Sequence, residues 1–229
     1  VGLPPGVFNL VTGDGTTGAA LVQHPEISKI AFTGSTGVGK YIQKETADRD
    51  IGLTLELGGK AANIVFNDAA IDQAVEGVVN GIFFNQGHVC CAGSRLVLQE
   101  DIHDQFVSKL EKRMQSLRVG NPLDKNTDIG AINSREQLDK ISELVDNGVD
   151  EGGSIFQTEC ELPQNGFWFK PTLFTNAQPS YRIAREEIFG PVLTTLTFRT
   201  PEEAIEISNN TEYGLSAGIW TEKGSKILW

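Results

Sequence analysis

Short apolar runs rich in Val, Ile, Phe and Leu alternate along the chain with stretches whose apolar residues recur at helical spacing. This alternation predicts βαβ units around a mostly parallel sheet. The first strand candidates are residues 7–11, 29–33, 53–57 and 63–66, with helices over 16–24, behind Gly34-Ser35-Thr36, and from Asp68 into Phe84. Residues 101–117 place Ile102, Phe106, Leu110, Met114 and Leu117 on one stripe, open with an acidic turn and run into Gly120-Asn121-Pro122, which predicts a surface helix with a clear stop. A further helix is expected over 134–149, followed by Gly152-Gly153 and a loop-rich stretch to Phe169. Strands return at 192–198 and 215–221 around a helix over 201–209.

A length of 229 residues with 39% hydrophobic and 21% charged residues suits one large globular domain or two modest ones. No repeat, low-complexity tract or long linker marks a boundary, so one is placed by motif, after Leu57. No run of eighteen apolar residues exists, and the opening VGLPPGVFNL lacks the basic and apolar regions of a signal peptide, so the expectation is a cytoplasmic protein without a membrane partner. Asp and Glu outnumber Lys and Arg by 30 to 19, which argues against nucleic acid. Of three cysteines, Cys90 and Cys91 are adjacent and Cys160 is remote, a pattern of neither a disulfide framework nor a metal site. They are expected to be reduced thiols. The chain opens without Met and stops at Trp229 inside an apparent helix begun near Glu222, and is therefore expected to be an internal fragment.

Three segments carry chemistry. In Ile30 to Lys40, a strand expected to be buried runs through a Gly-rich turn into a helix, an arrangement that aims backbone N–H groups and a helix dipole at an anion. The same turn fits the GxxxxGK of an ATP-binding loop, but Tyr41 stands where that loop needs Ser or Thr for magnesium, and a helix merely capped by Ser35 or Thr36 is the plain alternative. In Leu53 to Lys60, Glu56 sits in an otherwise apolar strand before paired glycines, where burial would fit a carboxylate for work as a base near neutrality. In Phe83 to Arg95, Cys90 lies in a Gly-flanked segment whose backbone could hold an oxyanion, with His88, in a strand-like stretch, as another candidate base.

In this order and spacing, FTGSTGVG, LELGG and FFNQGHVCCAGSR closely resemble the aldehyde dehydrogenase superfamily. The resemblance continues through Gly120 to Asp124 with Thr127, Gly166 to Leu173, Glu186 to Val192, and Asn209 to Leu215, and so covers essentially the whole chain. It implies an α/β, aldehyde dehydrogenase-like fold: the C-terminal part of a Rossmann-type NAD(P)-binding domain over residues 1–57, then an α/β catalytic domain over 58–229, truncated at its end.

By the same resemblance, Cys90 is the nucleophile and Glu56 the general base, with Cys91 and Cys160 as bystanders. Gly34, Ser35, Thr36 and Gly39 lie against the cofactor pyrophosphate, Leu57 borders the nicotinamide, and Gln137 and Glu187 reach its ribose with Phe189 nearby. The implied function is oxidation of an aldehyde to a carboxylic acid through a thiohemiacetal and a thioester, with NAD, or NADP, as cofactor and no metal. The implied partners are a small aldehyde and further copies in a homodimer or homotetramer. Two positions depart from the family: His88 replaces the usual Gln beside the nucleophile, and Ala131 the usual Pro after Gly130. The alternative from another class is a catalytically silent, structural family member. Retention of Cys90, Glu56 and Glu187 together argues against it.

Overall fold

A computed structural model describes residues 2–228; Trp229, expected to lie inside a helix begun near Glu222, is outside the described residues. The chain forms two compact units, Val1–Gly58 and Gly59–Trp229.

In the first unit, α1 (Gly15–Gln23) is started by Asp14, whose carboxylate accepts from Thr16 N. It is followed by β1 (Lys29–Thr33), α2 (Thr36–Glu45) and β2 (Gly52–Glu56). The two strands pair in parallel from Lys29↔Gly52 to Thr33↔Glu56. Arg49 ties the unit together by donating to the carbonyls of Val22, His24 and Ile27 at 2.6, 2.8 and 3.0 Å. Two expectations fail here. Residues 7–11 form no strand, because no strand among the described residues offers them a ladder, and Val7, Phe8, Leu10 and Val11 stay exposed. Nor are β1 and β2 buried: a sheet of two strands with helices as its only cover leaves Leu53 and Glu56 exposed.

The second unit opens with β3 (Ala62–Val65), α3 (Ile71–Phe83), β4 (Arg95–Gln99), α4 (His103–Met114) and α5 (Arg135–Asp150). There follow β5 (Ser154–Gln157), β6 (Thr172–Thr175), α6 (Arg182–Arg185) and β7 (Val192–Phe198). Last come α7 (Pro201–Asn209), β8 (Ala217–Trp220) and α8 (Gly224–Leu228). The six strands run in the order β5-β6-β7-β4-β3-β8, parallel except for the β5–β6 pair. The mixed α/β class expected from the alternation is therefore present, with one antiparallel edge.

Side chains of β4 alternate between two cores. Leu96 and Leu98 face the cluster built by α3 and α4, with Val78, Ile82, Phe106 and Leu110, whereas Val97 joins Ile64, Phe198 and Ile207 beneath α7. A third cluster sets Ile141 and Leu144 of α5 on Phe174, Ile183 and Val192. Among the described residues, no helix is long and apolar enough to cross a membrane.

Arg95 is the buried charge of this sheet. It donates from Nε to Lys60 O at 2.9 Å, and from its two Nη atoms to the carbonyls of Ile207 and Ser208 at 2.9 and 2.7 Å, in the last turn of α7. Both carbonyls lie among the last four of the helix, where the regular ladder runs out; Asn210 N donates to that of Ile207 at 3.3 Å, and the guanidinium adds a charged donor to each at the negative end of the helix dipole. Burial pushes Arg95 down to about 10. Arg95→Met should lower stability by on the order of 3 kcal/mol, since three carbonyls lose a charged donor. A urea midpoint unchanged from the wild type would contradict this role.

Candidate active site

The Gly-rich turn is built by the first unit's own packing. Gly34 N donates to Glu56 O at 3.0 Å, extending the β1–β2 ladder into the turn, and Ser35 caps α2 by accepting from Val38 N at 3.3 Å. The Ser35 hydroxyl keeps its proton for a further acceptor. The amides of Thr36 and Gly37, in the first turn of α2, have no partner inside the helix, and a Cβ on Gly37 would meet nothing within 4 Å. The site therefore has donors and room for an anion. Gly39 does something else: a Cβ there would come within 2.4 Å of Leu57 Cδ2, so this glycine lets Leu57 pack on α2. Glu56 ends β2 with an exposed side chain, which corrects the expectation of a carboxylate buried in an apolar strand.

In the second unit, α3 delivers the chain to an unusual turn. Asn85, Gln86 and Gly87 have φ of 50, 48 and 75° in succession, a left-handed stretch that costs energy at the two non-glycine positions. Its neighbours hold it in place. Asn85 Nδ2 donates to His88 O at 3.2 Å and His88 N to Asn85 O at 2.9 Å, while Gln86 Oε1 accepts from Gly130 N at 3.2 Å. Gly87 lies so close to Gly190 that a Cβ would sit 2.1 Å from its carbonyl oxygen.

The chain then passes through Cys90 and Cys91 in a tight turn, not the strand-like stretch expected around His88. All three cysteines are free; Cys90 is half-buried and Cys91 exposed. The turn is closed by Ala92 N donating to Val89 O at 3.0 Å, and Ser216 Oγ donates to Cys91 O at 3.4 Å. Gly59 lies against the Cys90 carbonyl, where any side chain would collide: a Cβ would be 2.1 Å from that oxygen.

Glu187 reaches the same place from the other side of the sequence, its Oε1 accepting from Gly59 N at 3.0 Å. Gly59, Gly87, Val89, Glu187 and Phe189 line one small cavity. Gln137 uses its amide Nε2 on the carbonyls of Ile188 and Phe189, at 2.8 and 3.0 Å, and so holds the Glu187-to-Gly190 loop. Phe189 itself is left-handed, with φ of 55°, and stacks on His88 with centroids 5.2 Å apart and planes 13° from parallel.

His88 is not set up as the partner of a thiol: Nε2 is buried with no hydrogen-bond partner, and burial holds the imidazole below its ordinary value. Sequence reasoning gave no role to Arg95, although it lies in the GSR motif, or to Lys60. Lys60 is 2% exposed with an unpartnered Nζ, and burial, reinforced by Arg95, lowers it to about 7. The only sequence signal for it was a lysine directly after paired glycines.

The entire chain, residues 1–229, matches the sequence profile described as the aldehyde dehydrogenase family. The chain belongs to the aldehyde dehydrogenase family. It is 46% identical over 229 residues to the retinal dehydrogenase 2 of Taeniopygia guttata and to that of Homo sapiens, covering 99% of this chain and 44% of each relative. Among solved structures, it is similar to an NAD-dependent aldehyde dehydrogenase from Sinorhizobium meliloti, with a TM-score of 0.96 and 41% identity over 99% of this chain and 46% of that one. A betaine aldehyde dehydrogenase from Staphylococcus aureus in complex with NAD+ gives a TM-score of 0.93 and 37% identity, covering 98% of this chain and 46% of that one. The chain thus spans less than half the length of these aldehyde dehydrogenases.

Proposed function

We propose that the full-length protein carrying this sequence oxidises an aldehyde to a carboxylic acid, with Cys90 as nucleophile and Glu56 as general base. The observation that carries this reading is the setting of Cys90: a free, half-buried thiol in a turn pinned by Gly59, beside the cavity that Glu187 and Phe189 line. A thiol reacts as its thiolate, and partial exposure with fixed backbone around it is what a reacting cysteine needs.

The thiolate of Cys90 adds to the aldehyde carbon, and the resulting tetrahedral thiohemiacetal has a C–H bond from which hydride can leave. Loss of that hydride leaves a thioester on Cys90. Glu56 takes a proton from water, the water attacks the thioester, and the acid departs as the thiol is restored. A bound NAD supplies the hydride acceptor. Gly34, Ser35 and Thr36 would lie against its pyrophosphate, with Gly39 contributing by seating Leu57 on α2 beside them; Leu57 would border its nicotinamide, and Gln137, Glu187 and Phe189 the nicotinamide ribose. The donors and room at the start of α2 support the phosphate end of this reading. The Gln137 amide hydrogens already serve the loop, so only its oxygen is left for a ribose hydroxyl. A cytoplasmic homodimer or homotetramer completes the proposal.

The test is NADH formation by the full-length protein over a panel of aldehydes that includes retinal and betaine aldehyde, the compounds for which two relatives are named. NAD and NADP are compared on each. Turnover of at least one aldehyde is expected; a folded protein inert to the whole panel would be the silent family member instead.

A further inference from the structure

The strained Phe189 raises the question of what fixes its ring. A left-handed aromatic residue persists only where its surroundings over-determine it. Two of its supports act on the main chain: the Gln137 amide bonds to the carbonyls of Ile188 and Phe189, and Gly190 is seated on Ile141, where a Cβ would lie 2.6 Å from Cδ1. Neither sets the side-chain torsions that decide where the ring faces. The stack on His88, at 5.2 Å and 13°, does act on the ring.

His88 is well placed to be such a platform. The left-handed Asn85-to-Gly87 turn delivers it, and both its N–H and its carbonyl are bonded back to Asn85. Its ring accepts a buried, unpartnered Nε2, a cost that an apolar side chain of like size would avoid.

We infer that His88 is a positioning residue: its imidazole, stacked nearly parallel on Phe189, sets the plane of that ring and thereby the affinity for the nicotinamide end of NAD. The inference rests on the reading of Phe189 as a cofactor contact given above. It assigns His88 no contact with the aldehyde and no proton transfer.

The test is the NAD dissociation constant of the full-length protein by calorimetry, for the wild type, His88→Phe, His88→Leu and Phe189→Leu. His88→Phe keeps a flat ring and should bind NAD within about twofold of the wild type, whereas His88→Leu fills the space without a ring and should weaken binding roughly three- to tenfold. In a Phe189→Leu background, His88→Leu should add less than about twofold, because the stack is already gone. A His88→Leu protein that binds as tightly as the wild type, or the same loss in both backgrounds, overturns the inference, and the double mutant decides the matter should His88→Phe fail to fold. NAD binding with the expected dependence on His88 but no aldehyde turnover would leave the inference standing and sink the proposed oxidation. Absence of NAD binding by the wild type would sink both.

Discussion

Replacing Cys90 by alanine in the full-length protein is expected to lower aldehyde oxidation by on the order of a thousandfold or more, because no other group can take over the covalent step. Cys91→Ala should keep most of the activity. The two thiols are neighbours in sequence but not in setting: Cys90 is half-buried with its carbonyl against Gly59, whereas Cys91 is exposed and its carbonyl accepts from Ser216. A reacting sulfur must be shielded enough to hold an aldehyde and reachable enough to meet one, and in this turn only Cys90 is so placed. Steady-state NADH formation by both variants checks the assignment. Equal losses would mean that the nucleophile has been misidentified or that the turn reorganises when either thiol is removed.

Glu56→Gln should leave thioester formation nearly intact while slowing hydrolysis by roughly a hundredfold or more, the usual contribution of a positioned general base. Rapid mixing should then show one fast burst of NADH per site followed by slow turnover, and quenching during the slow phase should trap an acyl group on Cys90, visible as added mass on its peptide. The amide preserves the size of the side chain, so the loss reports on the proton acceptor and not on packing. A variant with no burst and wild-type hydrolysis would take Glu56 out of the mechanism.

Local chemistry was legible wherever one stretch of chain contains its own reasons. Residues 201–209 were expected to be a helix and are α7, because Thr200 caps it, Pro201 starts it and Glu202 and Glu203 fill its first turn. Ser134 caps α5 in the same way, and the stripe of Phe106, Leu110 and Met114 is fully buried as its spacing implied. The motif residues were also plain, since FTGSTGVG, LELGG and the cysteine segment each carry their pattern within a dozen positions.

Elements defined by distant partners were not legible. Strand β4 was missed because its apolar run is only Leu96-Val97-Leu98, bounded by Arg95 and Gln99; Arg95 is tolerated at the start of a central strand because it reaches the end of α7, more than a hundred residues on. Strand β5 lies within the stretch read as loop and β6 just beyond it, and each is made a strand by its neighbour in the sheet. Residues 7–11 show the converse, a strand-like composition with no partner among the described residues.

The candidate site divides along the same line. Sequence singled out Cys90 and Glu56 as candidates, because covalent and acid–base chemistry resides in side-chain identity, and resemblance to the family added Gln137, Glu187 and Phe189 as expected cofactor contacts. Tertiary structure decided that Glu187 holds Gly59 against the Cys90 turn, that Gln137 serves the Phe189 loop, and that His88 is a stacked ring instead of a base. Identity and helical periodicity are written into neighbouring residues, whereas a hydrogen bond or a stack between residues 50 to 130 positions apart exists only once the backbone has brought them together.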